Sequence, residues 1–366
     1  MKTVLNNFID EIHPPCAGLT QEGRAYLDNL TKPVGSLGRL EETALKIWRI
    51  QGKRPLAVDP ALIYTVAGDH GVTAENVSLY PPEVTRQMVE NFLNDGAAIN
   101  VLCNSLGIEQ MVVDAGCFGP SFQPHAKLLE MRAGNGTANF TKGPAMSPSQ
   151  CWSCLNHGIT LARKASDQKF NTVGLGEMGI GNSTAATALF CAYLDLRPEE
   201  IAGVGAGLPP GGLAHKTAVL NQALRVNRAA QQNGDALEIL AAFGGFEIAT
   251  LVGIILGAAH ENMLIVVDGF ISTAAYVAAW KLCPMVREYC IFSHKSKESG
   301  HALILSRLNE TPLLDLQMRL GEGTGAALAI SLIRSSAAIF NQMATFNSAG
   351  ISGPAVAKPN GDENDK

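Results

Sequence analysis

The sequence is poor in aromatic side chains, 6% of its 366 residues, and in charge, with only 17% Asp, Glu, Lys and Arg. The first scarcity makes the core aliphatic. The second, with a formal net charge of −5, leaves no basic surplus to neutralise a phosphate backbone, so nucleic acid is not an expected partner. No apolar run reaches the roughly 20 residues that span a bilayer. The most apolar stretch, Ile248 to Ala259, is followed by His260 and Glu261 and reads as a buried helix. The start, Met1-Lys2-Thr3-Val4-Leu5-Asn6-Asn7-Phe8, lacks the apolar core and small-residue cleavage site of a signal peptide. A cytoplasmic chain with no membrane partner is expected.

Metal and disulfide signatures are missing as well. Eight cysteines are scattered without framework density. Cys151-Trp152-Ser153-Cys154 has C-x-x-C spacing, but no second C-x-x-C or C-x-x-H completes a metal shell. Those two thiols are expected on a helix that starts after Ser147-Pro148-Ser149.

What the chain has in quantity is glycine, 37 residues, and apolar residues, 46%. That balance suits an α/β protein with tight turns. Residues 1 to about 55 carry helical spacing interrupted by Pro14-Pro15 and by Lys32-Pro33-Val34-Gly35-Ser36-Leu37-Gly38, which predicts two helices joined by a glycine-rich turn. From Pro60 onward short β-rich runs alternate with glycine turns and long apolar helices, the pattern of parallel βαβ units. Buried strands are predicted at Ala61 to Ala67, Gln110 to Asp114, Thr172 to Leu175, Leu264 to Val267 and Tyr289 to Phe292. A long Ala-rich helix is predicted from Gly323 to about Asn347, with a polar, frayed tail from Pro359 to Lys366. The expected fold is a doubly wound Rossmann-like parallel sheet, residues 56–334, with a small helical domain built from both chain ends, 1–55 with 335–366.

Five clusters could carry chemistry. Ala67-Gly68-Asp69-His70-Gly71-Val72 places an acid beside a histidine at a strand end, either to orient a proton carrier or to hold a turn. Gly174 to Thr184 runs from a strand into the predicted helix Ala185 to Leu194. Its Gly176, Gly179, Gly181, Asn182 and Ser183 aim backbone N–H groups and a helix N-terminus at an anion, with Glu177 inside the loop. It matches neither the dinucleotide fingerprint nor the P-loop. Gly203 to Gly212 with Lys216 suits a second phosphate contact, and Ser293 to His301 sets hydroxyls and cations after a strand. Arg319-Leu320-Gly321-Glu322-Gly323-Thr324-Gly325 holds one carboxylate between glycines before an apolar helix, which makes Glu322 the best general-base candidate.

Taken in order, Lys32 to Glu41, Ala67 to Val72, the Glu177 loop, Val267-Asp268-Gly269-Phe270 and Arg319 to Gly323 resemble the nicotinate-nucleotide:dimethylbenzimidazole phosphoribosyltransferase family over nearly the whole chain. The resemblance implies about six parallel strands, a dimer, and no metal or redox cofactor. It also implies that phosphoribose moves from nicotinate mononucleotide to an aromatic acceptor, making a cobamide lower-ligand precursor. By motif position Glu322 matches the catalytic base, Glu177 and Gly179 the nucleotide loop, Lys216 with the backbone of Gly205, Ala206 and Gly207 the phosphate site, and Ser296 a contact to the nicotinate end. Gly325 follows the base on the nucleotide side.

One departure concerns the acceptor. Tyr80 and Met88 stand where benzimidazole-using relatives carry Ser and Gln, and Met178 replaces a Leu; with Leu320 they would line a bulkier, less polar pocket. This resembles the branch that activates phenol or p-cresol, whose enzymes pair two paralogous subunits. Retention of Glu177 and Glu322 marks this chain as the catalytic member rather than a silent partner, with 5,6-dimethylbenzimidazole as the alternative acceptor.

Overall fold

In the computed structural model, described for residues 2–16, 18–205 and 207–352, six parallel strands form one sheet in the order β3-β2-β1-β4-β5-β6. They are β1 Ala61–Gly68, β2 Glu109–Gly116, β3 Leu128–Glu130, β4 Thr172–Met178, β5 Leu264–Val267 and β6 Cys290–Phe292. The order reverses between β1 and β4, and at such a switch point the loops leaving the carboxyl ends part and open a crevice.

Five of the strands fall where the apolar runs predict them. The sixth, β3, has no counterpart among those runs: it is only three residues long, Leu128-Leu129-Glu130, half-buried or exposed at the sheet edge, too short to stand out as a buried apolar run. β4 runs on to Met178, so Glu177 is the penultimate residue of a strand and not part of a loop.

The helices are α1 Lys2–Asp10, α2 Gly18–Asp28, α3 Arg39–Gln51, α4 Glu83–Leu93, α5 Ala98–Leu106, α6 Pro148–Asp167, α7 Asn182–Leu194, α8 Pro198–Ile201, α9 Gly212–Val226, α10 Arg228–Asn233, α11 Ala236–Phe243, α12 Phe246–His260, α13 Phe270–Leu282, α14 His301–Leu308, α15 Thr324–Gln342 and α16 Phe346–Ala349. The amino-terminal segment holds three helices, not two, because Pro14 and Pro15 separate α1 from α2. The predicted helix from Gly323 to Asn347 ends at Gln342, where Met343 turns extended and Thr345 caps a separate turn. The predicted tail from Pro359 lies outside the described residues.

Local chemistry sets several boundaries. Ser147 Oγ accepts the Gln150 amide while Gln150 Oε1 accepts the Ser147 amide, and with Pro148 at the first helical position this capping box sets the start of α6. Cys151 and Cys154 are buried on this helix. α12 is buried from Phe246 to Ala259, as its apolar run predicts, and each fully buried Leu or Ile there contributes roughly 1.5–3 kcal/mol. It lies across α6 so closely that a Cβ on Gly158 would come within 2.5 Å of the Ile254 nitrogen.

Segments from the two halves of the chain meet. Leu30 and Thr345 form an antiparallel bridge, and Trp48 of α3 stacks on Phe340 of α15 with ring centroids 5.7 Å apart. α15 passes unbroken through 334/335. No helix among the described residues is long and apolar enough to cross a membrane.

Candidate active site

Beyond the carboxyl ends of β1, β4 and β5 lies an open cavity of about 430 Å³. Both carboxylates singled out in the sequence line it. Glu177 arrives at the end of β4. Glu322 arrives on the turn before α15, where Gly321, Glu322 and Gly323 take φ of 84°, 64° and 94° in succession. Three consecutive left-handed residues are tolerated only because two are glycine, and the middle one is a strained position for a glutamate.

The turn is held from two sides. Thr65 Oγ1 donates to the Glu322 carbonyl at 3.1 Å, and buried Asp268, at the end of β5, accepts the Ala326 amide at 2.9 Å and the Gly323 amide at 3.3 Å. The Glu322 carboxylate is buried, and its Oε2 has no hydrogen-bond partner among the described residues. Burial pushes its pKa up to about 7; the Ile99 amide pulls against this and Asp268 adds to it. Glu177 packs against Gly321 so tightly that a side chain there would collide with its Oε1, and Asn182 Nδ2 donates to its Oε2. Burial, then Asp268, pushes Glu177 up to about 8.

At one end of the cavity Gly179, Gly181, Asn182 and Ser183 form the approach to the N-terminus of α7. Ile180, between the glycines, donates its amide to Thr85 Oγ1 at 3.0 Å. Behind Ser183 stands Lys216, fully buried, its Nζ 2.9 Å from Ser183 Oγ and 3.2 Å from the Gly203 carbonyl. Burial lowers the Lys216 pKa to about 8, with Glu298 opposing. Gly205 borders the same corner, and Arg319 donates to its carbonyl at 3.1 Å. The α7 N-terminus and the Ser183 hydroxyl thus face one corner of the cavity, with the buried Lys216 ammonium directly behind the hydroxyl.

The wall beside β6 carries His294 and Ser296. Ser296 donates its amide to His301 Nδ1 at 2.8 Å, and His301 Nε2 lies 3.0 Å from Thr273 Oγ1. Burial pushes His301 down to about 3, so the ring is neutral and serves as a strut. At the other end Met88 and Met178 are half-buried, while Tyr80 and Leu320 are 48% and 56% exposed at the mouth.

The residues singled out in the sequence therefore divide. Glu177, Glu322, Gly179, Gly181, Asn182, Ser183, Gly205, Ser296, Tyr80, Met88, Met178 and Leu320 line the cavity together. Gly176, Gly207, Lys216 and Gly325 do not. Gly176 packs under the Glu322 carbonyl, Gly325 against the His294 ring, and Gly207 beside Leu79. Ala206 lies outside the described residues.

Asp69 and His70 also stay out of the cavity. Asp69 Oδ2 accepts the Phe118 amide at 2.7 Å, and His70 Nε2 lies 2.7 Å from Glu247 Oε1, both side chains fully buried beneath the glycine loop. Burial opposes charge on His70, but Glu247 outweighs it and raises the pKa. The cavity is also lined by Val84, Ile180, Phe270, Ile271 and His294, to which the sequence assigned no individual role. Ile180, Phe270 and His294 lie inside segments already singled out; singly the apolar ones look like core, and Ile271 belongs to no motif.

The fold and site define a class, the phosphoribosyltransferases: a profile with that description matches residues 12–351. The nicotinate-nucleotide–dimethylbenzimidazole phosphoribosyltransferase of Oleidesulfovibrio alaskensis is 57% identical over 344 residues, 94% of this chain and 96% of that protein. The protein of the same name from Chlorobaculum parvum is 48% identical over 342 residues, 93% of this chain and 96% of its own length. The crystal structure of CobT from Thermus thermophilus superposes with a TM-score of 0.86 at 40% identity, covering 92% of this chain and 99% of that one. The chain belongs to the nicotinate-nucleotide–dimethylbenzimidazole phosphoribosyltransferase family.

Proposed function

We propose that the protein transfers the 5-phosphoribosyl group of nicotinate mononucleotide to a small aromatic acceptor, giving an α-ribotide and releasing nicotinate. The observation that carries this reading is the Glu322 carboxylate: buried, raised to about 7 and with one oxygen unpartnered, between an anion-receiving corner and an apolar pocket. The phosphate occupies the corner of Ser183, Gly205 and Lys216, and the nicotinate end lies toward Ser296. Glu322 takes the acceptor proton as the acceptor attacks the anomeric carbon opposite the leaving pyridine, and that geometry inverts β to α. The pyridinium of the donor is already a good leaving group and departs with the bonding pair as neutral pyridine nitrogen. Developing positive charge on the ribose is stabilised by the ionised carboxylate. Glu177, raised to about 8, stands protonated below that pH and serves as a hydrogen-bond donor.

The favoured acceptor is phenol or p-cresol. Tyr80, Met88 and Met178 offer bulk and little hydrogen bonding, which suits a single ring, and a phenolic hydroxyl with a pKa of about 10 needs a base. A second reading, 5,6-dimethylbenzimidazole, is supported by the names of relatives as similar as 57%. The protein acts as a dimer, either with itself or with a paralogous subunit, and the two carboxylates make this chain the catalytic member.

Turnover of nicotinate mononucleotide with phenol, p-cresol and dimethylbenzimidazole in parallel, wild type against Glu322→Gln, tests the reading. Phenolic α-ribotides are expected from wild type, with a loss of about 100-fold or more in the variant. Product from dimethylbenzimidazole alone selects the second acceptor, and full activity in Glu322→Gln removes the carboxylate from the mechanism.

A further inference from the structure

Three neutral side chains, from α5, β2 and β1, are bonded in series and end on the backbone of Glu322. Asn100 of α5 donates from Nδ2 to Gln110 Oε1 at 2.7 Å. Gln110 of β2 donates from Nε2 to Thr65 Oγ1 at 3.0 Å, and Thr65 of β1 donates to the Glu322 carbonyl at 3.1 Å. The directions are forced from the far end. A carbonyl only accepts, so the single Thr65 proton must point at Glu322; the hydroxyl then accepts from Gln110, which sets that amide and, in turn, Asn100. The chain is anchored at its origin, where Asn100 Oδ1 accepts the Ala97 amide at 3.0 Å and Nδ2 also donates to the Phe92 carbonyl at 2.9 Å.

Thr65 is fully buried in a strand whose neighbours are Leu62, Ile63, Tyr64, Val66 and Ala67. A valine would fill the same volume, and an unpaired hydroxyl there is costly. The Glu322 carbonyl is the partner that offsets this cost. That carbonyl belongs to the one non-glycine residue of a left-handed triplet, a conformation that persists only where its surroundings over-determine it. Asp268 secures the amides downstream of Glu322, and Thr65 alone secures the carbonyl of Glu322 itself among the hydrogen bonds of the described residues.

We propose that Thr65, backed by Gln110 and Asn100, is a positioning residue that holds the Glu322 peptide so that the carboxylate is presented to the acceptor. This rests on the reading of Glu322 as the base. The side chains are uncharged, so their effect is geometric. It falls on the chemical step and not on donor binding, because the anion-receiving corner hangs on β4, α7 and α9.

The test measures kcat, KM for nicotinate mononucleotide and thermal melts for wild type, Thr65→Val, Thr65→Ser, Gln110→Met and Glu322→Gln. Thr65→Val should lose roughly 10- to 100-fold in kcat, the scale of a misplaced reacting group, with KM near the wild-type value. Thr65→Ser, which keeps the hydroxyl, should restore the rate, and Gln110→Met should lose part of it. Wild-type kcat in folded Thr65→Val, beside an inactive Glu322→Gln, overturns the positioning role and leaves the base assignment standing. An active Glu322→Gln removes the base assignment and this inference with it. Should Thr65→Val fail to fold, a folded Gln110→Met with wild-type kcat overturns the role, and loss of kcat there with Thr65→Ser active supports it.

Discussion

At the scale of the residue, two buried carboxylates line one cavity and neither is an ordinary surface acid. Because Glu322 must be ionised to accept a proton, the rate should rise with pH through about 7, and that limb should vanish in Glu322→Gln, measured as a kcat profile at saturating substrates. The same displacement has a consequence for stability. A carboxyl raised in the fold binds its proton more tightly there than in the unfolded chain, so stability falls as pH climbs from the unfolded value toward the folded one. For Glu177 that window runs from 4.5 to about 8. Glu177→Gln, which mimics the protonated form, should melt above wild type at pH 8 and close to it at pH 5; equal melts at both would show that the buried charge costs nothing. Both residues were legible in the sequence as acids set among glycines. Their closeness was not, since 145 positions separate Glu177 from Glu322, and they are brought together by Gly176 under the Glu322 carbonyl and Gly321 against the Glu177 carboxylate.

At the scale of the element, strands ending in polar clusters were readable because a buried parallel strand must be apolar along its length. The edge strand β3 was not, since three half-exposed residues impose no such pattern. Helix α12 was readable for the same reason as the strands, but not its partner: that it lies on α6 through Gly158 is a packing fact. Gly158→Ala would drive a methyl into the α12 backbone near Ile254, and overpacking of this kind costs about 1–3 kcal/mol. A lower urea midpoint with unchanged kcat in the folded fraction is the expected result, because the contact lies on the side of the sheet away from the Glu322 turn; an unchanged midpoint would mean that the helices separate freely.

At the scale of the whole molecule, the helices before β1 meet the end of α15 and the turn after it through Leu30, Thr345, Trp48 and Phe340, and we propose that they form one small helical unit beside the sheet. Leu79, Tyr80, Val204, Leu213 and Leu320 remain exposed, Tyr80 and Leu320 at the cavity mouth, which supports assembly with a second subunit. Light scattering of the purified protein should give a mass near twice 38.7 kDa, for the chain alone or with a co-expressed paralogue; a monomer under assay conditions would contradict the proposed dimer.

The sequence by itself determined the class of fold, the approximate place of five strands and the residue types of the site, because apolar period, glycine turns and isolated acids are local properties of a chain. Only the tertiary structure decided which of these meet. It set Lys216 behind Ser183 and placed Asp69 and His70 beneath the glycine loop, with Glu247 as the partner of His70. It also threaded Thr65 to the Glu322 carbonyl, a bond between positions 257 apart. Contacts of that span depend on strand order and helix packing, which the pattern along the chain does not encode.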